Sequence, residues 1–210
     1  MSLLRHNTKY QTYKPFKYEW AYNRQSLGRK MHWLADEIPL GEDVKDYHSL
    51  PKSQQEFVKN ILRLFTQNDV EALTGYIKML EILKPMEIRM LLGVELDMEV
   101  CHCDAYSLLT DTLGFDDKFY NEFFEVPVME RKIDFLEKAK VKKFREYKEM
   151  GLSDIEVDYR FRQDVLRMVA VYGGGLEGIE LMAQFMNLLA FGQEGKFKGM
   201  TQINTYSINN

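Results

Sequence analysis

Residues 99–107 read EVCHCDAYS, which places a histidine between two cysteines and just after a glutamate, inside an otherwise apolar run. From Met86 to Leu113 the hydrophobic pattern has helical period and helix length, with no internal proline and one glycine, so the segment reads as a long helix. At ~100° per residue Cys101 and Cys103 point roughly 160° apart, and they cannot join His102 in one tetrahedral zinc site without breaking the helix. Glu99, His102 and Tyr106, at i, i+3 and i+7, fall instead within a sector about 60° wide. Those three residues need a common explanation.

Working outward, the pattern stays helical. A long helix is expected from a Ser49 cap, with Pro51 in its first turn and a stripe through Phe57, Ile61, Phe65, Leu73, Tyr76 and Leu80, up to Lys84-Pro85. After the helix that stops at Gly114, a third is expected over about 128–149. A fourth is expected from the Ser153-Asp154 cap to about Ala190, interrupted or kinked at Gly173-Gly174-Gly175. One more segment begins after Gly195. Residues 1–48, rich in Tyr, Lys and Asn, read as an arm or irregular lead-in, and 49–210 as an all-α antiparallel bundle of long helices.

A chain of 210 residues with 45% apolar content can bury a real core. Its net charge of -4 gives no general drive toward nucleic acid or an anionic membrane. Two cysteines, two apart on a helix, suit a reducing compartment rather than a disulfide. The N-terminus MSLLRHNTKYQ lacks an apolar core of signal-peptide length, and no run of 18 apolar residues occurs, so a cytoplasmic protein is expected.

Carboxylates in the apolar stripes carry the functional signal, because an unpaired buried carboxylate costs several kcal/mol. Asp69 is aligned with Leu62, Phe65, Ala72 and Leu73. Glu99 shares a face with Leu92, Leu96, His102 and Tyr106. Glu177 is assigned to a face with Ala170, Leu181, Gln184, Phe185 and Leu188. Each alone is weak, since Glu-x-x-His arises by chance in many helices. Together, one inward carboxylate on each of three helices demands cations, and oxygen donors with one imidazole suit iron or manganese. Di-metal carboxylate bundles use two Glu-x-x-His units with two further carboxylates; here one such unit is present.

From about Gln25 onward the chain resembles the small, radical-generating subunit of class I ribonucleotide reductase. EVCHCDAYS matches that family's Glu-x-x-His followed by the radical tyrosine, and LEGIELMAQF its third ligand helix. The resemblance implies Asp69, Glu99, His102 and Glu177 as ligands of a di-iron centre in which manganese is an alternative. It also implies Tyr106 as the radical site, Leu181 and Phe185 as its apolar pocket, and Trp33 as the electron-transfer residue. Glu95, one turn before Glu99, would hold a ligand in place. The implied activity is O₂-dependent generation of a tyrosyl radical, used by a large subunit to reduce ribonucleotides, with the small subunit a homodimer. By count the second Glu-x-x-His would fall just past Asn210, which itself stands where the family keeps an Asp. A truncated or split small subunit is therefore expected, its last ligands supplied by another polypeptide segment. Another ferritin-like di-iron oxidase, with Tyr106 only a core residue, and a catalytically empty assembly subunit are the alternative readings.

Overall fold

Two prolines set the starts of the two longest helices. The computed structural model describes residues 12–209. Within it α3 (Lys52–Ile82) begins directly after Pro51 and α4 (Met86–Thr112) directly after Pro85, whose rings fix φ near the helical value. The residue before a proline is pushed off the helical conformation, and the chain leaves α3 at the extended Leu83. With so short a connection the two helices pack side by side and antiparallel. Gly114, at φ 83°, ends α4 in the left-handed conformation, and the Phe115 N–H returns to the Thr110 carbonyl.

The lead-in is more ordered than its composition implies. It holds α1 (Glu19–Gly28), a short 3-10 turn at Ala35–Glu37, and α2 (Gly41–Ser49). The residues α1 buries are Ala21, Gln25 and Gly28, so it lacks an apolar stripe and is held by packing along α4. At Gly28 a Cβ would come within 2.9 Å of Val94. Ser49 ends α2 rather than capping α3, and its hydroxyl donates to the Asp46 carbonyl. Along α3 the inward positions are Val58, Ile61, Leu62, Phe65, Asp69 and Ala72; Phe57 is exposed, and Leu73, Tyr76 and Leu80 are half-buried.

The third expected helix is two. Short helical pieces at Lys118–Asn121 (α5) and Glu122–Glu125 lead into α6 (Pro127–Ala139) and then α7 (Phe144–Lys148). The break at Lys140 lets Val141 enter the core while the Lys140 ammonium reaches Glu71 and Thr74 on α3. α8 (Asp154–Val169) starts with a reciprocal capping box: the Ser153 hydroxyl accepts from the Glu156 N–H, and the Glu156 carboxylate accepts from the Ser153 N–H. The rod continues as a π-helical stretch, Ala170–Leu181, before α9 (Met182–Gln193), so the interruption expected at the glycines is a widened helical turn. α10 (Lys198–Asn209) closes the described chain, its first N–H groups held by α2: Gly199 and Met200 donate to Asp43 at 3.0 and 2.6 Å. No helix among the described residues is long and apolar enough to cross a membrane.

The core falls into two clusters. One gathers Trp33, Phe65, Tyr106, Leu181, Phe185 and Ile203; the other gathers Ala72, Met79, Leu92, Tyr172 and Leu176. α3, α4 and the π-containing rod each pass from one cluster to the other.

Candidate metal centre

Carboxylates occupy the seam where those helices change cluster. Asp69 lies between Phe65 and Ala72 on α3, Glu95 and Glu99 between Leu92 and Cys101 on α4, and Glu177 between Leu176 and Leu181 on the π-helical turn. Asp69, Glu99 and His102 each bring one ligand atom to a group whose atoms all lie within 4.8 Å of one another. The His102 Nδ1 is 3.5 Å from Glu99 Oε2, and their side chains are only 12% and 7% exposed. Asp69 Oδ2 and Glu99 Oε2 are buried and find no hydrogen-bond partner among the described residues. Buried polar atoms are otherwise almost always paired, so two orphaned carboxylate oxygens beside an imidazole fit a cation bound by oxygen and nitrogen donors.

Glu177 stands outside that three-residue group and is half-buried. It is nonetheless a near neighbour. Burial, followed by the charges of Glu99 and Glu95, pushes its carboxyl up to about 8. Burial, then Glu99 and Glu177, holds Asp69 well above the usual carboxylate range. The face assigned to Glu177 from a 3.6-residue period needs correction at Ala170, which is exposed. Leu181, Gln184, Phe185 and Leu188 of that face are buried, and the wider π turn sends Tyr172 and Leu176 inward in place of Ala170. A cavity of about 100 Å³ lies against Glu177, bounded by Ala72, Tyr76, Met79 and Tyr172. Glu95, partly buried, has Arg24 of α1 at 4.0 Å; burial raises its carboxyl and Arg24 opposes that.

Tyr106 is 1% exposed, and burial, then the charge of Asp69, raises its phenol well above the ordinary tyrosine value. Its ring stacks on Phe65 with centroids 4.7 Å apart and planes 10° apart, and Phe65 in turn meets Phe185 at 4.9 Å. Leu181 belongs to the same cluster. Trp33, 5% exposed, lies 6.2 Å from His102 between ring centroids, and its main-chain carbonyl accepts from the Cys101 thiol at 3.1 Å. Cys101, placed away from the site face by the helical wheel, is buried in the first cluster; Cys103 is half-buried, and both are free thiols. Asn210 lies outside the described residues.

The pattern of residues alone did not single out α10. Tyr106 Oη donates to Asn204 Oδ1 at 2.8 Å, and buried Ser207 lies one turn on. The signal was present: Asn204 and Ser207, at i and i+3, share the buried face of α10 with Ile203 and Met200. Tyr76, one turn beyond Ala72, is likewise a second phenol at the seam, its pKa raised by burial and then by Glu177, Glu99 and Glu95.

The chain has relatives among known proteins. The family model for the ribonucleotide reductase small chain matches residues 11–210. A protein of Invertebrate iridescent virus 6, described as a probable ribonucleoside-diphosphate reductase small subunit, is 36% identical over 199 residues, covering 93% of this chain and 54% of that protein. The chain thus spans about half the length of the curated relatives it matches. A ribonucleotide reductase R2 subunit from Clostridium botulinum superposes with a TM-score of 0.82 at 20% identity, over 98% of this chain and 62% of that one. An R2-like ligand-binding oxidase with a Mn/Fe cofactor superposes at 0.68 with 16% identity, over 97% of this chain and 69% of that one. At those identities the two structures speak for the fold, a ferritin-like helical bundle, while the family model, matching nearly the whole sequence, decides membership: the chain belongs to the ribonucleotide reductase small-chain family.

Proposed function

We propose that this chain carries the tyrosine and most of the first ligand set of a class I ribonucleotide reductase small subunit, which generates a tyrosyl radical for a large subunit that reduces ribonucleotides. The observation that carries the reading is the buried group of Asp69, Glu99 and His102, with two carboxylate oxygens unpartnered among the described residues. Asp69, Glu99, His102 and Glu177 would hold the metal. When bound, two irons, or iron with manganese, supply with O₂ the power to take one electron from a phenol.

The chain's own residues do the rest. Glu99 and His102 lie one turn apart on α4, and Tyr106 follows one turn later, beside the site without joining it. Phe65 stacks on the Tyr106 ring, Phe185 backs Phe65 and Leu181 shares their apolar cluster; together they would keep water from the oxidised phenol. Trp33 lies against His102 and would carry the electron to the centre. Glu95, near Arg24, would hold the neighbouring ligand Glu99 by occupying the same face one turn earlier. The partners of this reading are the large subunit, a second small subunit and a segment bearing a second Glu-x-x-His; its compartment is the cytoplasm.

Anaerobic Fe(II) titration tests it. With one Glu-x-x-His the chain alone should bind iron weakly or below two per chain. Adding a polypeptide that carries the second Glu-x-x-His should raise occupancy, and O₂ should then yield a tyrosyl signal. Tyr106→Phe should abolish the signal and spare iron uptake. The same radical with Phe at 106 would return Tyr106 to a core aromatic.

A further inference from the structure

Trp33 has an aromatic neighbour on its outward side that the site does not yet use. Tyr206, on α10, is half-buried, and its ring centroid lies 5.5 Å from that of Trp33, with planes 55° apart. Trp33 in turn lies 6.2 Å from His102, so three rings run in sequence from the seam toward the surface. The outer end opens into a cavity of about 360 Å³ lined by Trp33, Tyr206, Lys30, His32 and Glu37. The Tyr206 oxygen accepts a hydrogen bond from Gln202 Nε2 at 2.9 Å, which leaves the phenol's own hydrogen pointing elsewhere. Trp33 Nε1 is buried and has no acceptor among the described residues.

We propose that Tyr206 is an electron donor to oxidised Trp33, and so the outer member of a relay Tyr206–Trp33–His102 that feeds electrons inward from the surface cavity. The proposal rests on the reading of Trp33 as the electron-transfer residue beside the metal centre. The step balances as follows. Trp33, having lost one electron toward the centre, is a radical cation that keeps its N–H proton, because no acceptor among the described residues faces Nε1. Tyr206 gives it one electron and releases its hydroxyl proton to solvent in the cavity; Trp33 returns to its neutral form and Tyr206 becomes a neutral phenoxyl radical. An external one-electron donor reaching the cavity could then reduce Tyr206. Cys101, whose thiol donates to the Trp33 carbonyl at 3.1 Å, is a poorer donor, since its S–H proton is already held there and the side chain is buried away from the cavity.

The chain has two tryptophans, and Trp20 is exposed, so Trp20→Phe leaves Trp33 as the sole tryptophan at little structural cost. In that background, ultraviolet laser photoionisation of the metal-free full chain creates the tryptophan radical at Trp33 alone. Its visible band should decay as a tyrosyl band grows with the same time course. Tyr206→Phe, which keeps the ring and removes only the oxidisable hydroxyl, should abolish that growth and lengthen the life of the tryptophan radical; Tyr106→Phe should change neither. Unchanged tyrosyl growth in Tyr206→Phe would overturn the proposal. If Tyr206→Phe alters Trp33 fluorescence, and so its packing, 3-fluorotyrosine at position 206 decides instead: the freeze-trapped radical must show fluorine coupling in its electron paramagnetic resonance spectrum, and its absence overturns the proposal. No metal takes part, so a failed relay leaves the assignment of ligands standing, and failed iron loading leaves the relay standing.

Discussion

The hydrogen bond between Tyr106 and Asn204 makes a prediction whose size depends on background. Tyr106 is 1% exposed and Asn204 fully buried; the bond is 2.8 Å long, and Asn204 Nδ2 has no partner among the described residues. Tyr106→Phe therefore removes the hydrogen bond found for the Asn204 amide and leaves a buried polar group unsatisfied, at a cost of about 1–3 kcal/mol. For a chain of this size that lowers Tm by about 2–4 °C per kcal/mol. Asn204→Leu removes both the amide and its unpaired nitrogen, leaving Tyr106 with Ser207 as its polar neighbour. In the Asn204→Leu background Tyr106→Phe should cost less than it does alone, because replacing both partners by apolar groups of similar shape removes the phenol hydroxyl and the Asn204 amide together and leaves Ser207 as the buried polar neighbour. The cycle is measured on the metal-free chain by thermal and urea unfolding followed by circular dichroism. A coupling of about 0.5–3 kcal/mol is expected; additivity within about 0.5 kcal/mol would refute the reasoning.

Two further outcomes follow from the seam and from the α2–α10 contact. In the metal-free chain Asp69 and Glu177 have folded pKa values raised above their unfolded ones, so the stability they contribute is fully present below the ordinary carboxylate range and is lost as pH rises to about 8. Urea midpoints should fall between about pH 5 and pH 8, and a midpoint that rises over that interval would contradict the buried placement of these carboxyls. Gly199→Ala would set a Cβ 2.7 Å from the Pro39 carbonyl oxygen and 2.6 Å from Leu40, which should cost about 1–3 kcal/mol. Gly41→Ala, where nothing lies within 4 Å, is the control, and equal denaturant midpoints for the two variants would place α2 and α10 farther apart than described.

Legibility from sequence followed the physical origin of each feature. Pro85 and Gly114 act locally, and α4 begins and ends where those residues require. The carboxylates were legible because a charge in an apolar stripe is an anomaly in any helix, whatever it packs against. The break at Lys140 was not, since residues 128–149 keep an amphipathic rhythm and the groups met at the break, the core around Val141 and the distant Glu71 and Thr74, belong to other elements. Nor was α1: its inward face of Ala21, Gln25 and Gly28 carries no apolar period, and its order comes from α4. The face drawn through Glu177 failed at Ala170 alone, because the π turn between them breaks the 3.6-residue count, while Leu181, Gln184, Phe185 and Leu188 are buried. Asn204 escaped because a neutral amide on an inward face looks less anomalous than a carboxylate does.

The placement of the carboxylates between two apolar clusters explains how the fold tolerates them. Each cluster is closed by its own aromatic and aliphatic contacts, with Phe65, Tyr106 and Phe185 on one side and Met79, Tyr172 and Leu176 on the other. The helices are thus fixed on both sides of the seam without help from the charges. Within the seam Glu99 raises the pKa of both Asp69 and Glu177, so the metal-free site relieves its repulsion by holding protons. A bound cation offsets the same repulsion more completely, and its binding free energy adds directly to the stability of the folded state. On the proposed reading, proton and metal would therefore compete for one set of oxygens, those of Asp69, Glu99 and Glu177, held in place from both sides.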